Sequence, residues 1–114
     1  MKPLFPLCLA ALTALTLSAA VHAATPGAIE SAVAEIGRIH GAALACKQPA
    51  LVSRARNAVQ TTAPKTRAYG EIFENATSEA FLAQGQAVCP DAQRLAGQLT
   101  EAESKLNDSV RNAR

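Results

Sequence analysis

The chain has 114 residues, 49% of them apolar, and a formal net charge of +2. That length leaves room for one domain and excludes a multidomain enzyme, a polytopic membrane protein and a nucleotide-binding α/β fold with its own parallel sheet. The apolar residues are unevenly placed: residues 1–23 hold 16 of them, and of the 40 that follow 20 are Ala and only 18 are larger than Ala or Cys. This is too apolar for a disordered chain and too thin for a thick core.

Lys2 gives the chain a positive start, and residues 3–21 carry no charge and are rich in Leu and Ala. Val21-His22-Ala23 then offers small or medium side chains at the two positions that a signal peptidase inspects. The pattern predicts a bacterial Sec signal peptide over 1–23, cleaved after Ala23, and a single exported domain over 24–114 in the periplasm or outside the cell. The rival reading is a retained anchor, since the run spans a bilayer when read generously. Pro3 and Pro6 and the cleavage site favour removal. Cys8 follows Phe5-Pro6-Leu7, which lacks the small residues that a lipidation site needs.

Four helical segments follow. Thr25 and Pro26 open the first as N-cap and first helical residue. Ile29, Val33, Ile36, Ile39 or His40, and Leu44 form its apolar stripe. A second row, Val33, Gly37, Gly41 and Ala45, is small at three of four positions. In a membrane such a row pairs helices; here it predicts close packing within the domain. Gln48-Pro49 ends this helix and Pro49 starts the second. Leu51, Val52, Ala55, Ala58, Val59 and Thr62 give the second helix its inner face, with Arg54 and Arg56 outward or at the edge. The third runs from about Pro64 to Gly85 with Tyr69, Ile72, Phe73, Ala76, Ala80 and Ala83 inward and Phe81 at the edge. Asn75 to Ser78 are poor helix formers, so a break there is an open alternative. The fourth opens at Cys89-Pro90-Asp91, with Pro and an acid in its first turn, and carries Ala92, Leu95, Leu99, Ala102, Leu106 and Ser109 as a weak heptad seam. No segment alternates as a strand does.

Cys46 and Cys89 are the cysteines beyond the signal, and an even pair in an exported chain reads as a disulfide. A redox pair would use the short Cys-x-x-Cys spacing. In an up-down-up-down arrangement the ends of the first and third helices share one end of the bundle, where a Cys46–Cys89 bridge ties the two hairpins together. The predicted fold is therefore all-α: a small antiparallel bundle of four helical segments with one disulfide. If the second helix is short and lies across the others, three long helices and one short one satisfy the same bridge.

Charge is segregated. Residues 36–70 carry six basic groups and no acidic one, whereas residues 71–114 carry seven acidic and four basic groups. The simplest account pairs the basic second helix with acidic edges of the third and fourth. The functional account makes Arg54, Arg56, Lys65 and Arg67 a face for an anionic lipid or acidic polysaccharide. Nucleic acid does not suit an exported chain of near-neutral charge.

Signs of catalysis are sparse. His40 is the one histidine after residue 23 and sits on or beside an apolar helix face. No metal site is predicted, because His40 and Cys46 are six residues apart and point to different sides of a helix. No Gly-rich phosphate loop or nucleophile motif occurs, and no cofactor is expected. Glu71, Glu74 and Glu79 read as a solvated helix face rather than paired catalytic acids. Asn75-Ala76-Thr77 and Asn107-Asp108-Ser109 match the glycosylation triplet, which has no meaning behind a bacterial signal. The sequence thus predicts a non-enzymatic exported interaction protein of accessory, chaperone-like or inhibitor/immunity type, whose partner is another protein of the cell envelope. The alternative is a membrane-surface or secreted effector that acts through the basic second helix.

Overall fold

The computed structural model describes residues 27–114, so the predicted signal peptide, Thr25 and Pro26 lie outside the described residues. Four helices follow in order: α1 Gly27–Ala45, α2 Pro49–Thr62, α3 Arg67–Gln84 and α4 Ala92–Asn112. The described residues contain no strand. The predicted all-α bundle and its Cys46–Cys89 disulfide are both present. No helix among the described residues is long and apolar enough to cross a membrane.

The turns show why the helices stop where they do. At the end of α1 the amide of Gln48 donates to Ala43 O at 2.9 Å and that of Lys47 to Leu44 O at 3.3 Å. This is a Schellman turn, and its left-handed residue is Lys47, with φ of 55°. A side chain in that conformation costs about 1–2 kcal/mol. The turn reverses the chain directly after Cys46, and Pro49 opens α2. The third helix starts at Arg67 rather than Pro64, because Thr66 is its N-cap and its Oγ1 accepts from the Tyr69 amide at 3.4 Å. The fourth starts after Pro90 and Asp91 rather than on them: Asp91 is the N-cap, and its carboxylate accepts from the Gln93 amide at 2.8 Å. α3 is unbroken through Asn75–Ser78. Thr77 fits within it by donating from Oγ1 to Phe73 O at 2.8 Å, one turn back.

α1 is the hub. It packs against α2, α3 and α4, while α2 also meets α4. Nine of its 19 residues are buried. Toward α2 and α4 it offers Ile29, Ile36, Ile39 and Ala43, which join Leu51, Ala55, Leu95, Leu99, Ala102 and Leu106 in the core. The largest fully buried side chains are Ile36, Leu95, Leu99, Leu106 and Val33. Each contributes about 1.5–3 kcal/mol.

Toward α3 the interface is of another kind. A Cβ on Gly37 would lie 2.8 Å from both Ala76 Cβ and Phe73 O. A Cβ on Gly41 would overlap Thr77 O and stand 2.9 Å from Ala80 Cβ and from Phe81 N. The small row thus brings two helix backbones together within the chain, and its order shows α1 and α3 to be parallel. α2 turns back directly after α1, and α4 runs antiparallel to α1, since Cys46 meets Cys89 before α4 begins and Glu35 meets Lys105 well along it.

Three predicted inward positions turn out exposed. Leu44 is 39% exposed, because it sits on the last turn of α1 beside the tight α1–α2 turn rather than under a facing helix. Ala83 is exposed as well, and Ala76 is the one buried residue of α3. Among the described residues α3 packs substantially only on α1, so only a narrow line of it is covered. Ala92 is exposed as the first residue of α4, whose buried seam begins at Leu95.

Two outcomes test this packing. Gly41→Ala is expected to lose about 1–3 kcal/mol by overpacking, although Ala favours a helix over Gly by about 1 kcal/mol. Gly97→Ala, where a Cβ meets nothing within 4 Å, is expected to gain stability under the same urea titration. Equal gains in both variants would refute the close seam. Replacing Cys46 and Cys89 by Ser is expected to cost up to about 4 kcal/mol for a loop of this length. Peptide mapping without reductant should recover the two cysteines as one linked pair.

Candidate functional site

The parallel seam places His40, one residue before Gly41, under α3. His40 is 4% exposed, the one buried residue of polar or charged type among those described. Its Nδ1 lies 3.1 Å from Thr77 Oγ1, and its ring centroid is 4.8 Å from that of Phe73. The Thr77 hydroxyl has one proton, which goes to Phe73 O. With that proton placed on Phe73 O, the neutral imidazole is assigned its proton on Nδ1, and Nε2 is left as an acceptor. That Nε2 is buried and has no partner among the described residues.

The imidazole lies on the floor of a groove of about 540 Å³ between α2 and α3. Arg56 and Val59 line the α2 wall, and Phe73, Glu74 and Thr77 the α3 wall. The groove exists because α2 and α3 both pack on α1 without substantial contact with each other. Burial lowers the pKa of His40 below its usual 6.5, and the positive charge of Arg56 lowers it further. The ring is therefore held neutral at pH 7.

The four basic residues singled out from the sequence occupy different places. Arg54 turns to α4, where its Nη2 donates to Thr100 Oγ1 at 2.8 Å and pairs with Glu103. Arg56, two residues on, faces the α3 groove and makes no ion pair among the described residues. Lys65 Nζ donates to Gln60 O at 2.5 Å, and Arg67 pairs with Glu71 at 3.2 Å. Lys65 and Arg67 lie at the α2–α3 junction, the end of the bundle opposite the disulfide. Exposed pairs such as Arg67–Glu71 contribute only about 0–1 kcal/mol.

The disulfide end carries a third feature. Among the described residues the exposed large apolar side chains are Leu44 at 39%, Phe81 at 47%, Leu82 at 76% and Val88 at 94%. All four belong to the ends of α1 and α3 or to the segment that leads to Cys89. That segment is pinned: Gln84 Nε2 donates to Ala87 O at 3.1 Å and to Val88 O at 3.2 Å, and Cys89 is bonded to Cys46. From Ala80 to Pro90 there is no charged residue. Leu82 and Val88 belong to none of the predicted stripes, and that mismatch was the sequence signal for this surface. In the sequence Thr77 stands out as a poor helix former and as part of a glycosylation triplet, and nothing local ties it to His40, 37 residues away.

No family model, curated protein or solved structure matches the chain significantly.

The neutral, buried His40 has a consequence for stability. Its folded pKa lies below its unfolded value, so the unfolded chain binds the proton more readily as pH falls through 6.5. Stability is complete above the unfolded pKa and declines toward the folded one. The urea midpoint is expected to drop between pH 7.5 and 5.5. His40→Asn, which keeps a donor for Thr77 and does not titrate, should flatten that drop. An equal drop in the variant would assign the effect to other groups.

Proposed function

We propose that the chain is a small exported, non-enzymatic interaction protein that docks another protein of the cell envelope onto the disulfide end of its bundle. The observation that carries this reading is the exposure of Leu44, Phe81, Leu82 and Val88 together at that end. Clustered apolar exposure on so small a domain marks a contact surface. Its chemistry favours a protein partner with an apolar face. The stretch from Ala80 to Pro90 carries no charge, Lys47 is the cation beside Leu44, and Lys65 and Arg67 lie at the far end. The signal-like residues 1–23 support export, and the disulfide suits an oxidising compartment. The alternative, binding of anionic lipid or polysaccharide through Arg54, Arg56, Lys65 and Arg67, has less support. Arg54 is engaged by Glu103, and Arg54 and Arg56 face different neighbours.

A photo-crosslinking residue at the exposed Gln86, in the exported chain in a bacterial host, tests the proposal. The expected result is one discrete adduct with a different envelope protein. It should be lost in Leu82→Asp/Val88→Asp while the helical circular dichroism is kept. An adduct at twice the chain mass would make the surface a self-association face. An adduct that survives the double variant, no adduct at all, or co-flotation with anionic vesicles would also overturn the reading.

A further inference from the structure

The groove between α2 and α3 is separate from the disulfide end and carries its own chemistry. Its volume of about 540 Å³ falls within the roughly 300–1,000 Å³ of small-molecule sites. Its floor holds a polar atom that the fold leaves unsatisfied. Nδ1 of His40 is committed to Thr77 on α3, and Nε2 of this groove-lining ring is buried with no hydrogen-bond partner among the described residues. A buried acceptor without a donor is a standing cost that a bound N–H or O–H would remove. The two walls carry opposite charges. Arg56 stands on α2 and Glu74 on α3, and neither makes an ion pair among the described residues. Phe73 and Val59 supply apolar surface between them. A cation, a carboxylate and a bare imidazole nitrogen along an apolar groove match a molecule with both an ammonium and a carboxylate on a hydrocarbon body.

We propose that this groove binds a small zwitterion, a free α-amino acid with an apolar side chain. Its carboxylate pairs with Arg56. Its ammonium lies between Glu74 and Nε2 of His40, and its side chain lies along Phe73 and Val59. A metal ion does not suit the groove, because no cluster of three or more ligating side chains occurs among the described residues. A purely anionic ligand would meet Glu74 unfavourably and leave Nε2 without a strong donor.

Gly70 makes the test clean. It lines the groove, and a Cβ there meets nothing within 4 Å. Gly70→Leu thus fills the groove from a helical position that accepts a side chain. The experiment titrates the full mature chain with L-leucine and L-phenylalanine and follows the His40 and Phe73 ring resonances by NMR. Saturable shifts are expected for at least one of them. They should be abolished in Gly70→Leu and weakened about tenfold or more in Arg56→Gln, an exposed position whose change leaves the fold intact. 4-Methylpentanoate, which lacks the ammonium, and leucinamide, which lacks the carboxylate, should each bind about tenfold or more weakly than leucine. Absence of saturation at millimolar amino acid, or shifts unchanged in either variant, would overturn the site. Equal binding of either analogue would overturn its zwitterion chemistry.

Discussion

The close approach of α1 and α3 at Gly37 and Gly41 is the constraint from which the rest of the structure follows. A helix backbone can come this close to its neighbour only where no Cβ intervenes, and these two glycines sit one turn apart on the same row. The contact is parallel and in a fixed register: Gly37 against Phe73 and Ala76, Gly41 against Thr77 and Ala80. That register carries His40 under Thr77 and Phe73, and it brings the end of α3 level with the end of α1. The chain leaving α3 then needs only a short segment to deliver Cys89 to Cys46. The same register leaves Phe81 and Leu82 on the outside, because the inward line of α3 is drawn through Phe73, Ala76 and Ala80.

A seam of this type gives tight contact and little burial. α3 contributes one buried residue, whereas α4 contributes Leu95, Leu99, Ala102 and Leu106. The apolar core is therefore mainly an affair of α1, α2 and α4, and α3 is attached to it along a line. For such a helix a covalent tie at its end matters more than one more buried methyl group. Closing a loop of 43 residues contributes about 4 kcal/mol in the chain-entropy model, against a typical total of about 5–15 kcal/mol for a domain. The bridge sits where the noncovalent attachment of α3 runs out.

Much of this was legible in the sequence because it is local. Proline positions mark the start of α2 and the approach to α4, and the three- and four-residue spacing of Leu95, Leu99, Ala102 and Leu106 marks the buried seam of α4. The bundle topology could be read from Cys46 and Cys89 because a disulfide is a long-range contact written in residue type. The row Val33, Gly37, Gly41, Ala45 foretold a close neighbour without saying which helix it would be. What stayed illegible depends on register between segments. The bond from His40 to Thr77 and the pair Arg54–Glu103 join residues 37 and 49 apart, with no local pattern to announce them. The apolar spacing of α3 overstated its burial. Amphipathicity records which face is apolar, not whether one neighbour or three will cover it. The same limit explains Leu44, a correct member of a stripe that ends beside a turn.

Both proposed surfaces border α3, and both exist because among the described residues α3 has α1 as its one substantial neighbour. On the side facing α2, lack of contact opens the groove over His40. At its end, lack of a covering helix exposes Phe81 and Leu82. A helix held along a narrow line would ordinarily be the first to loosen, and surfaces built on it would lose their shape. Two features oppose this. The glycine seam cannot slide without driving α1 into the α3 backbone at Thr77 and Phe81. The disulfide and the Gln84 side chain together fix the segment that presents Val88. The disulfide therefore does more than stabilise a thin core: it holds an exposed apolar surface in one shape, which lowers the entropy a partner must overcome to bind it.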